Sequence, residues 1–254
     1  MTQITPLNPS VKPNWTKVDQ WTYRLSKNWV LIFGVFFGIW IGLPFLPPVF
    51  MAMGWEGLAN AIYLLYSFQC HQLPQRSFFF FGSKWMYSTS EIQTVWQDTT
   101  NPLILRQFTG TADMGWKVAW SDRMVYMYTS ILVFGGFWWL IRRKIKPLPW
   151  WGLIILLFPM AVDGTSHLIS DFAGVGQGFR DSNVWLASLT NDAFSPMFYA
   201  GDALGSFNSW MRLLTGVLFG LGIVWFCFPY LNRYFTDLTR ILKAKLQRSK
   251  LELY

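Results

Sequence analysis

Residues 69–82, QCHQLPQRSFFFFG, decide how often the chain crosses a membrane, because polar and charged side chains interrupt an apolar run there. The apolar stretch before them, 58–68, has only 11 residues, whereas a helix needs about 20 residues to cross roughly 30 Å of hydrocarbon. Residues 78–81, after the polar group, are apolar again. The segment 57–82 is therefore either one interrupted crossing or a segment that enters the bilayer and returns.

The composition indicates an integral membrane protein. Of the 254 residues, 52% are hydrophobic and only 13% are charged, which is too little polar surface for a soluble domain of this length. The 16 tryptophans and 10 tyrosines agree with this, because amphipathic rings collect where hydrocarbon meets lipid headgroups. We predict a multi-pass protein of the plasma membrane.

Four other apolar stretches are long enough to span a bilayer. They start near residues 30, 124, 150 and 207. We therefore expect an all-α integral membrane protein with four transmembrane helices in a single transmembrane domain, residues 29–230.

The polar sequence between the spans is assigned to two extracytoplasmic loops, 83–123 and 170–206. The first loop carries helix signals, namely a capping box from Ser88 to Glu91 and an Asn101-Pro102 start.

Basic residues set the orientation of these spans. The net charge is +8, and 14 of the 21 lysines and arginines lie in residues 1–28, in 142–146 and after Leu231. Cytoplasmic segments of membrane proteins are enriched in Lys and Arg, so this pattern argues for membrane orientation and against nucleic-acid binding. A fifth crossing at 57–82 would put residues 142–146 outside. We therefore predict that 57–82 is re-entrant or interfacial and that both termini are cytoplasmic.

The two ends of the chain are predicted to associate with the inner membrane surface. Residues 1–28 form a cytoplasmic or interfacial segment. Residues 231–254 form a basic amphipathic tail, with an apolar face that includes Phe235 and Leu242.

Polar side chains from four separated segments fall at the outer end of the bundle under this topology. Ionisable groups within spans are costly unless they are paired or functional. We predict one outward-facing site built from Cys70, His71, Gln72, Arg76, Ser77, Arg123, Tyr126, Asp163, His167, Asn208, Arg212 and Thr215.

The same residues resemble a known family. The resemblance to the predicted bacterial and archaeal membrane proteins grouped as domain of unknown function 2085 covers roughly residues 58–225, excluding both long loops, and implies no activity. The resemblance implies a second cysteine where this chain has Ser121, and a glutamine where this chain has His167. The resemblance rests on the CHQLPQRSF run from Cys70, the Arg123–Tyr126 pair, Asp163-Gly164 with His167, and the pattern Asn208-x-x-x-Arg212-x-x-Thr215-Gly216-x-x-x-Gly220.

Two kinds of reaction chemistry fit the site. In an enzyme, His71 or His167 would act as general base with Asp163 orienting the ring, and the arginines would stabilise a developing anion. A transition-metal site, such as zinc, would use Cys70, His71 and His167 as ligands.

Binding of an anion is the third hypothesis. Arginine's planar fork suits phosphate or carboxylate, and Arg76, Arg123 and Arg212 share one carboxylate within the spans, Asp163. One arginine is then expected to lack a partner, which favours an anionic lipid, a prenyl phosphate or a quinone-type ligand. The alternative is that loop acids pair these arginines: Asp171, Asp181, Asp192 or Asp202.

A non-catalytic role is also open. The protein would then be an accessory subunit of a larger respiratory or photosynthetic membrane complex. It would contact partner spans through its aromatic residues and a small-residue face at Gly216–Gly220.

Overall fold

The structure, a computed structural model, describes residues 15–251, and side chains up to residue 249. Within that range four helical stretches are long and apolar enough to cross a membrane. They are Trp29–Ala52, Asp122–Ile141, Trp150–Asp171 and Phe207–Ser249. The predicted all-α architecture with four spans is confirmed.

Twelve helices and three strands make up the described part of the chain. The helices are α1 (Lys17–Lys27), α2 (Trp29–Gly42), α3 (Leu46–Ala52), α4 (Glu56–Tyr66), α5 (Thr89–Val95), α6 (Pro102–Leu105), α7 (Asp122–Ile141), α8 (Trp150–Asp171), α9 (Phe179–Ser182), α10 (Val184–Thr190), α11 (Pro196–Tyr199) and α12 (Phe207–Leu251). The strands are β1 (Ser77–Phe80), β2 (Gly110–Thr111) and β3 (Gly115–Ser121).

The doubtful segment 57–82 adds no further span. After the first span, which passes from α2 to α3 through a 3₁₀ turn at Leu43–Phe45, α4 packs back against α3. The Tyr66 hydroxyl donates a hydrogen bond of 2.7 Å to the Trp40 carbonyl and ties α4 to the first span. The chain then forms a second 3₁₀ turn, Pro74–Arg76, and enters β1.

A small antiparallel sheet is the part of the fold that the sequence did not predict. Its order is β1-β3-β2, and Ser77 lies opposite Ser121. Ser77 and Phe79 are buried whereas Phe78 and Phe80 are half-buried, so part of the phenylalanine run is an alternating strand rather than a membrane-buried stretch. The strand β3 leads directly into α7 and fixes the sheet on top of the bundle.

The predicted helix starts in the first loop are confirmed. Ser88 Oγ accepts from the Glu91 N–H at 3.3 Å, and the Ser88 N–H donates to Glu91 Oε2 at 2.9 Å. Asn101 Oδ1 accepts from the Leu103 N–H at 2.9 Å. These caps satisfy N–H groups that the first turn of each helix leaves without an intrahelical partner.

Close packing of α7 against α12 builds the centre of the bundle. A Cβ added at Gly220 would lie 2.0 Å from Ser130 Oγ and 2.9 Å from the Ile131 nitrogen. Gly216 likewise meets Tyr126, and its carbonyl accepts from Ser130 Oγ at 3.1 Å. The small-residue face at 216–220 is therefore used inside this chain, and the prediction that it binds a partner span is wrong.

This packing predicts different outcomes for two glycine-to-alanine changes. Gly220→Ala is expected to destabilise the protein by about 1–3 kcal/mol, because the backbone of Ile131 cannot move away as a side chain can. Gly38→Ala, where an added Cβ meets nothing within 4 Å in the described residues, should stay within about 1 kcal/mol of wild type. Thermal denaturation in detergent measures both, and equal losses would contradict the packing.

At the end of the bundle opposite the sheet, which we call the inner end, α1 contacts the late part of α12. Asp19 in α1 accepts from Lys245 Nζ at 2.7 Å, and the Trp29 ring stacks on Phe235 with centroids 5.4 Å apart. Up to Leu251 the predicted amphipathic tail is thus a continuation of α12, with Leu242 on its buried face. We expected this face to lie on the membrane surface, but α1 covers part of it. Residues 252–254 of the predicted tail, and residues 1–14 of the predicted N-terminal segment, lie outside the described residues.

A proline in α12 leaves a backbone carbonyl free to bind the turn between α7 and α8. Pro229 has no N–H, so the Trp225 carbonyl four residues earlier lacks its helical donor. That carbonyl accepts from the Leu148 N–H at 3.3 Å, and the Trp225 indole donates to the Lys146 carbonyl at 2.9 Å.

Candidate ligand site at the outer end of the bundle

A cavity of about 390 Å³ lies where the 70–76 segment meets the outer ends of α7, α8 and α12. This outer cavity brings together predicted residues from four separate parts of the sequence. The predicted residues that line it are Cys70, His71, Gln72, Arg76, Arg123, His167 and Arg212.

Hydrogen bonds between side chains and backbone groups fix the turn that carries Cys70 and Gln72. Gln72 has a φ of 53°, a left-handed conformation that is uncommon outside glycine. Its Nε2 donates to the Tyr63 carbonyl at 2.8 Å. Cys70 Sγ accepts from the backbone N–H groups of Ser121 and Gln72 at 3.3 and 3.4 Å. The turn is therefore anchored to both α4 and β3.

The buried side chain of Lys117 also binds this turn, through the Gln72 carbonyl. It is 0% exposed, and its Nζ donates to the carbonyls of Gln72 at 2.9 Å and Arg106 at 2.6 Å. Burial lowers the pKa of Lys117 to about 7. A lysine in the apolar run 115–121 is the sequence signal for this role, and we did not predict it.

The buried lysine predicts a pH dependence of stability. Between pH 7 and about 10 the unfolded chain carries a protonated Lys117 that the folded state tends to release, so stability should rise with pH across this window. In Lys117→Met the rise should be smaller than in wild type, whatever the overall loss of stability.

Melting temperatures at pH 7 and 9.5 give the two slopes. Lys84→Met serves as the control, because the Lys84 side chain is 57% exposed. Parallel slopes in wild type and Lys117→Met would show that Lys117 does not titrate differently in the folded state.

Each arginine of the site has a carboxylate partner. Arg76 binds Asp171 through two hydrogen bonds of 2.6 and 2.7 Å, and Asp181 lies 4.0 Å away. Arg212 Nε donates to Asp122 Oδ2 at 2.7 Å. The expectation that one arginine lacks a partner is therefore wrong. Of the loop acids that we considered as alternative partners, Asp171 and Asp181 pair with Arg76.

Asp163 joins two arginines. Arg123 Nη2 donates to its Oδ2 at 2.8 Å and Arg180 Nη2 to its Oδ1 at 2.6 Å. Asp163 is 3% exposed. Arg180 comes from α9 in the second loop, and no motif in the sequence marked it as part of the site.

Outside the spans, burial and ion pairing shift the pKa of the charged groups. For Arg76 burial acts to lower the pKa, but the bonds to Asp171 outweigh it and the pKa lies above its usual value. Burial lowers the pKa of Arg180 against the attraction of Asp163. Burial also raises the pKa of Asp181. Arg76 therefore stays charged beside the cavity.

Unpartnered donors face the same region. Arg212 is 1% exposed, and its Nη1 and Nη2 have no hydrogen-bond partner among the described residues. His167 Nε2 lies 3.3 Å from Arg180 Nη2, which can only donate, so Nε2 accepts and the proton is on Nδ1. Within residues 15–249 Nδ1 also lacks a partner. The free polar groups of Arg212 and His167 are all donors.

The catalytic roles suggested for His71, Asp163 and His167 stay a prediction. Asp163 Oδ1 is 3.9 Å from His167 Nε2, too far for a hydrogen bond, and both Asp163 oxygens are bonded to arginines. Asp163 therefore orients Arg123 and Arg180 rather than the His167 ring. His71 is exposed at the rim of the outer cavity.

The residues present do not form a metal-binding group. In the described part of the chain, no three side chains of His, Cys, Asp or Glu come close enough to hold a metal ion. Cys70, His71 and His167 line one cavity without forming the compact donor set that zinc requires.

Five predicted site residues do not line the cavity. One is Asp163, described above, and the other four make contacts within the protein. Ser77 Oγ donates to the Leu73 carbonyl and Thr215 Oγ1 to the Met211 carbonyl, at 2.9 and 2.7 Å. Asn208 Nδ2 donates to the carbonyls of Arg180 and Gly201. Tyr126 packs edge-on against Phe78.

Comparison with known proteins gives a family but no activity. The family model described as "Predicted membrane protein (DUF2085)" matches residues 111–226, which run from β2 through the first 20 residues of α12. The uncharacterized protein MJ1492 of Methanocaldococcus jannaschii is 31% identical over 182 residues, covering 68% of this chain and 90% of that protein. No solved structure matches. The chain belongs to the DUF2085 family of predicted membrane proteins.

Proposed function

We propose that the outer cavity binds the anionic headgroup of an amphiphilic ligand, either a lipid phosphate or a prenyl phosphate. One observation carries the proposal: the buried Arg212 guanidinium lines the cavity, while its two amino groups have no partner among the described residues. A buried charged donor without an acceptor is costly. A phosphoryl group supplies acceptors in the geometry that arginine binds best.

Net charge alone does not select an anion. Four carboxylates, Asp122, Asp163, Asp171 and Asp181, surround the four arginines of the site. The proposal depends instead on hydrogen-bonding capacity, because the free groups of Arg212 and His167 donate. A ligand rich in acceptors satisfies them. The cavity volume of about 390 Å³ suits a headgroup.

The rim of the cavity suits an apolar chain. Leu168 and Phe172, at the outer end of α8, line it and are 55% and 81% exposed. A headgroup at Arg212 can therefore continue into an acyl or prenyl chain that lies on these two side chains. This arrangement favours an amphiphile over a free ion.

We further propose that the protein lies in the plasma membrane with the outer cavity on the extracytoplasmic side. The basic α1 and the turn at residues 142–149 lie at the opposite end of the bundle, beside the inner part of α12. An excess of Lys and Arg marks the cytoplasmic side. Lys84, in the outer loop, should then react with an impermeant amine reagent added outside whole cells.

The ligand proposal is tested by thermal denaturation of the purified protein with farnesyl phosphate, farnesol or a short-chain quinone. Farnesyl phosphate should stabilise the wild type by about 2.7 kcal/mol at 100 times its Kd, whereas farnesol should have little effect. Arg212→Lys keeps a positive charge beside Asp122 but removes both free amino groups, so the stabilisation should be lost. Arg240→Lys, in an exposed ion pair of the tail, is the matched control.

Two results would contradict the proposal. Equal stabilisation by farnesol and farnesyl phosphate would show that the phosphate is not recognised. Stabilisation by the quinone alone would favour a quinone-type ligand at the same cavity.

A second candidate function, an accessory subunit of a larger membrane complex, is favoured by a different feature. Gly34, Gly38 and Gly42 recur every four residues along α2, and a Cβ added at any of them meets nothing within 4 Å in the part of the chain that the structure describes. Such stripes allow close approach of another transmembrane helix. Loss of a co-purifying subunit in Gly38→Leu, with farnesyl phosphate binding retained, would support this role.

A further inference from the structure

A second cavity, of about 570 Å³, lies between α8 and α12 and shares no lining residue with the outer cavity. We call it the lateral groove. Its walls include Phe158 and Val162 of α8 and Phe207 of α12, and Phe179 and Trp185 from the second loop also line it. The lining is therefore mostly apolar and aromatic.

The lateral groove opens towards the bilayer. Phe158 and Val162 belong to the span Trp150–Asp171 and are 63% and 52% exposed. Apolar side chains exposed on a spanning helix face lipid. Phe179 and Trp185 lie in the outer loop beyond that span, so the groove is at the depth of the outer leaflet.

Two charged residues, Arg180 and its ion-pair partner Asp163, line this otherwise mostly apolar groove. Arg180 is 6% exposed, and its Nε has no hydrogen-bond partner among residues 15–249. The rest of the guanidinium is held in place, because Nη2 donates to Asp163 at 2.6 Å and the group lies 5.2 Å from the centre of the Phe207 ring. The Nε–H is therefore a fixed donor beside an apolar groove.

We infer that the lateral groove binds one phospholipid of the outer leaflet, with an acyl chain along the aromatic walls and a phosphate oxygen accepting from Arg180 Nε. Three features select this occupant: the opening towards lipid, the depth near the headgroup region, and the Arg180 Nε–H, which has no acceptor among the described residues although Nη2 of the same guanidinium is paired with Asp163. The inference does not depend on the ligand proposed for the outer cavity, because different residues line the two sites.

The test counts phospholipids retained by the purified protein. Protein reconstituted with palmitoyl-oleoyl phosphatidylglycerol is extracted and washed extensively with detergent. Native mass spectrometry then counts the phosphatidylglycerol molecules that remain bound to each protein molecule. Wild type should retain one phosphatidylglycerol. Val162→Trp fills the groove and should lower its occupancy at least tenfold. Val133→Trp is the control, because Val133 lies in α7 outside the groove and is 47% exposed. This variant should retain as much phosphatidylglycerol as wild type.

A second variant tests the donor itself. Arg180→Lys keeps a positive charge for Asp163 but has no Nε–H, so retention should fall several-fold while the melting temperature reports that the fold is intact. Arg212→Lys should retain the phospholipid, which separates this site from the outer cavity. The inference is overturned if wild type retains no phosphatidylglycerol or if Val162→Trp and Val133→Trp retain equal amounts.

Discussion

Asp163→Asn is expected to lower the free energy of unfolding by about 3–5 kcal/mol, because it removes the shared partner of two arginines. The Asp163 side chain is 3% exposed, and its two oxygens bind Arg123 and Arg180 at 2.8 and 2.6 Å. An asparagine side chain has one acceptor oxygen, and its NH₂ group would face a guanidinium donor. Arg123 and Arg180 then both lose their charge partner, and one of them also loses its hydrogen-bond acceptor.

The measurement is chemical or thermal denaturation in detergent micelles. Asp237→Asn is the matched control, because Asp237 and Arg240 form an exposed pair with side chains 55% and 77% exposed. Exposed pairs contribute about 0–1 kcal/mol. A loss below about 1 kcal/mol in Asp163→Asn would mean that the ion pairs seen here do not hold the outer end together.

Arg212→Met is the second change with a large expected effect. It leaves Asp122, which is 0% exposed, without its charged partner at 2.7 Å. Removing one member of a buried pair typically costs about 3–5 kcal/mol. Methionine has a similar length and fills the space, so the loss reports mainly on the unpaired carboxylate.

A double variant separates charge from packing. Asp122→Asn combined with Arg212→Met removes both charges, and replacement of whole buried pairs is often close to neutral. The double variant should therefore be more stable than Arg212→Met alone. If it is equally unstable or less stable, packing around the arginine dominates and the buried pair is not the cause of the loss.

The number and position of the spans followed from the sequence because they depend on local quantities. Apolar length gave the four crossings, and the basic residues of 142–146 excluded a fifth. Ser88 and Asn101 marked helix starts, since capping requires a side-chain acceptor two or three residues before the N–H that it binds. The gathering of Cys70, Arg123, and Arg212 around one cavity followed from the topology.

The rest depended on contacts between distant residues. Pairing of β1 with β3 joins Ser77 to Ser121, and a four-residue strand of phenylalanines has the composition of a membrane segment. The bond from Arg180 to Asp163 links a loop to a span. Loop position set which acids pair the arginines: Asp171 binds Arg76, whereas Asp202 accepts from the Thr89 N–H at 2.6 Å. Periodicity and spacing carry no information on such contacts.

The attachment of the inner turn to Trp225 limits how this bundle can move. The turn binds the Trp225 backbone and indole at the inner end, while Gly220 locks against Ser130 further out. The bonds from the turn to Trp225 and the close contact of Gly220 with Ser130 hold α7 and α8 at a fixed position along the axis of α12. A piston-like shift of α12 along the membrane normal would break both contacts. Any transmitted signal would have to travel as a tilt or a rotation of the long helix about its own axis.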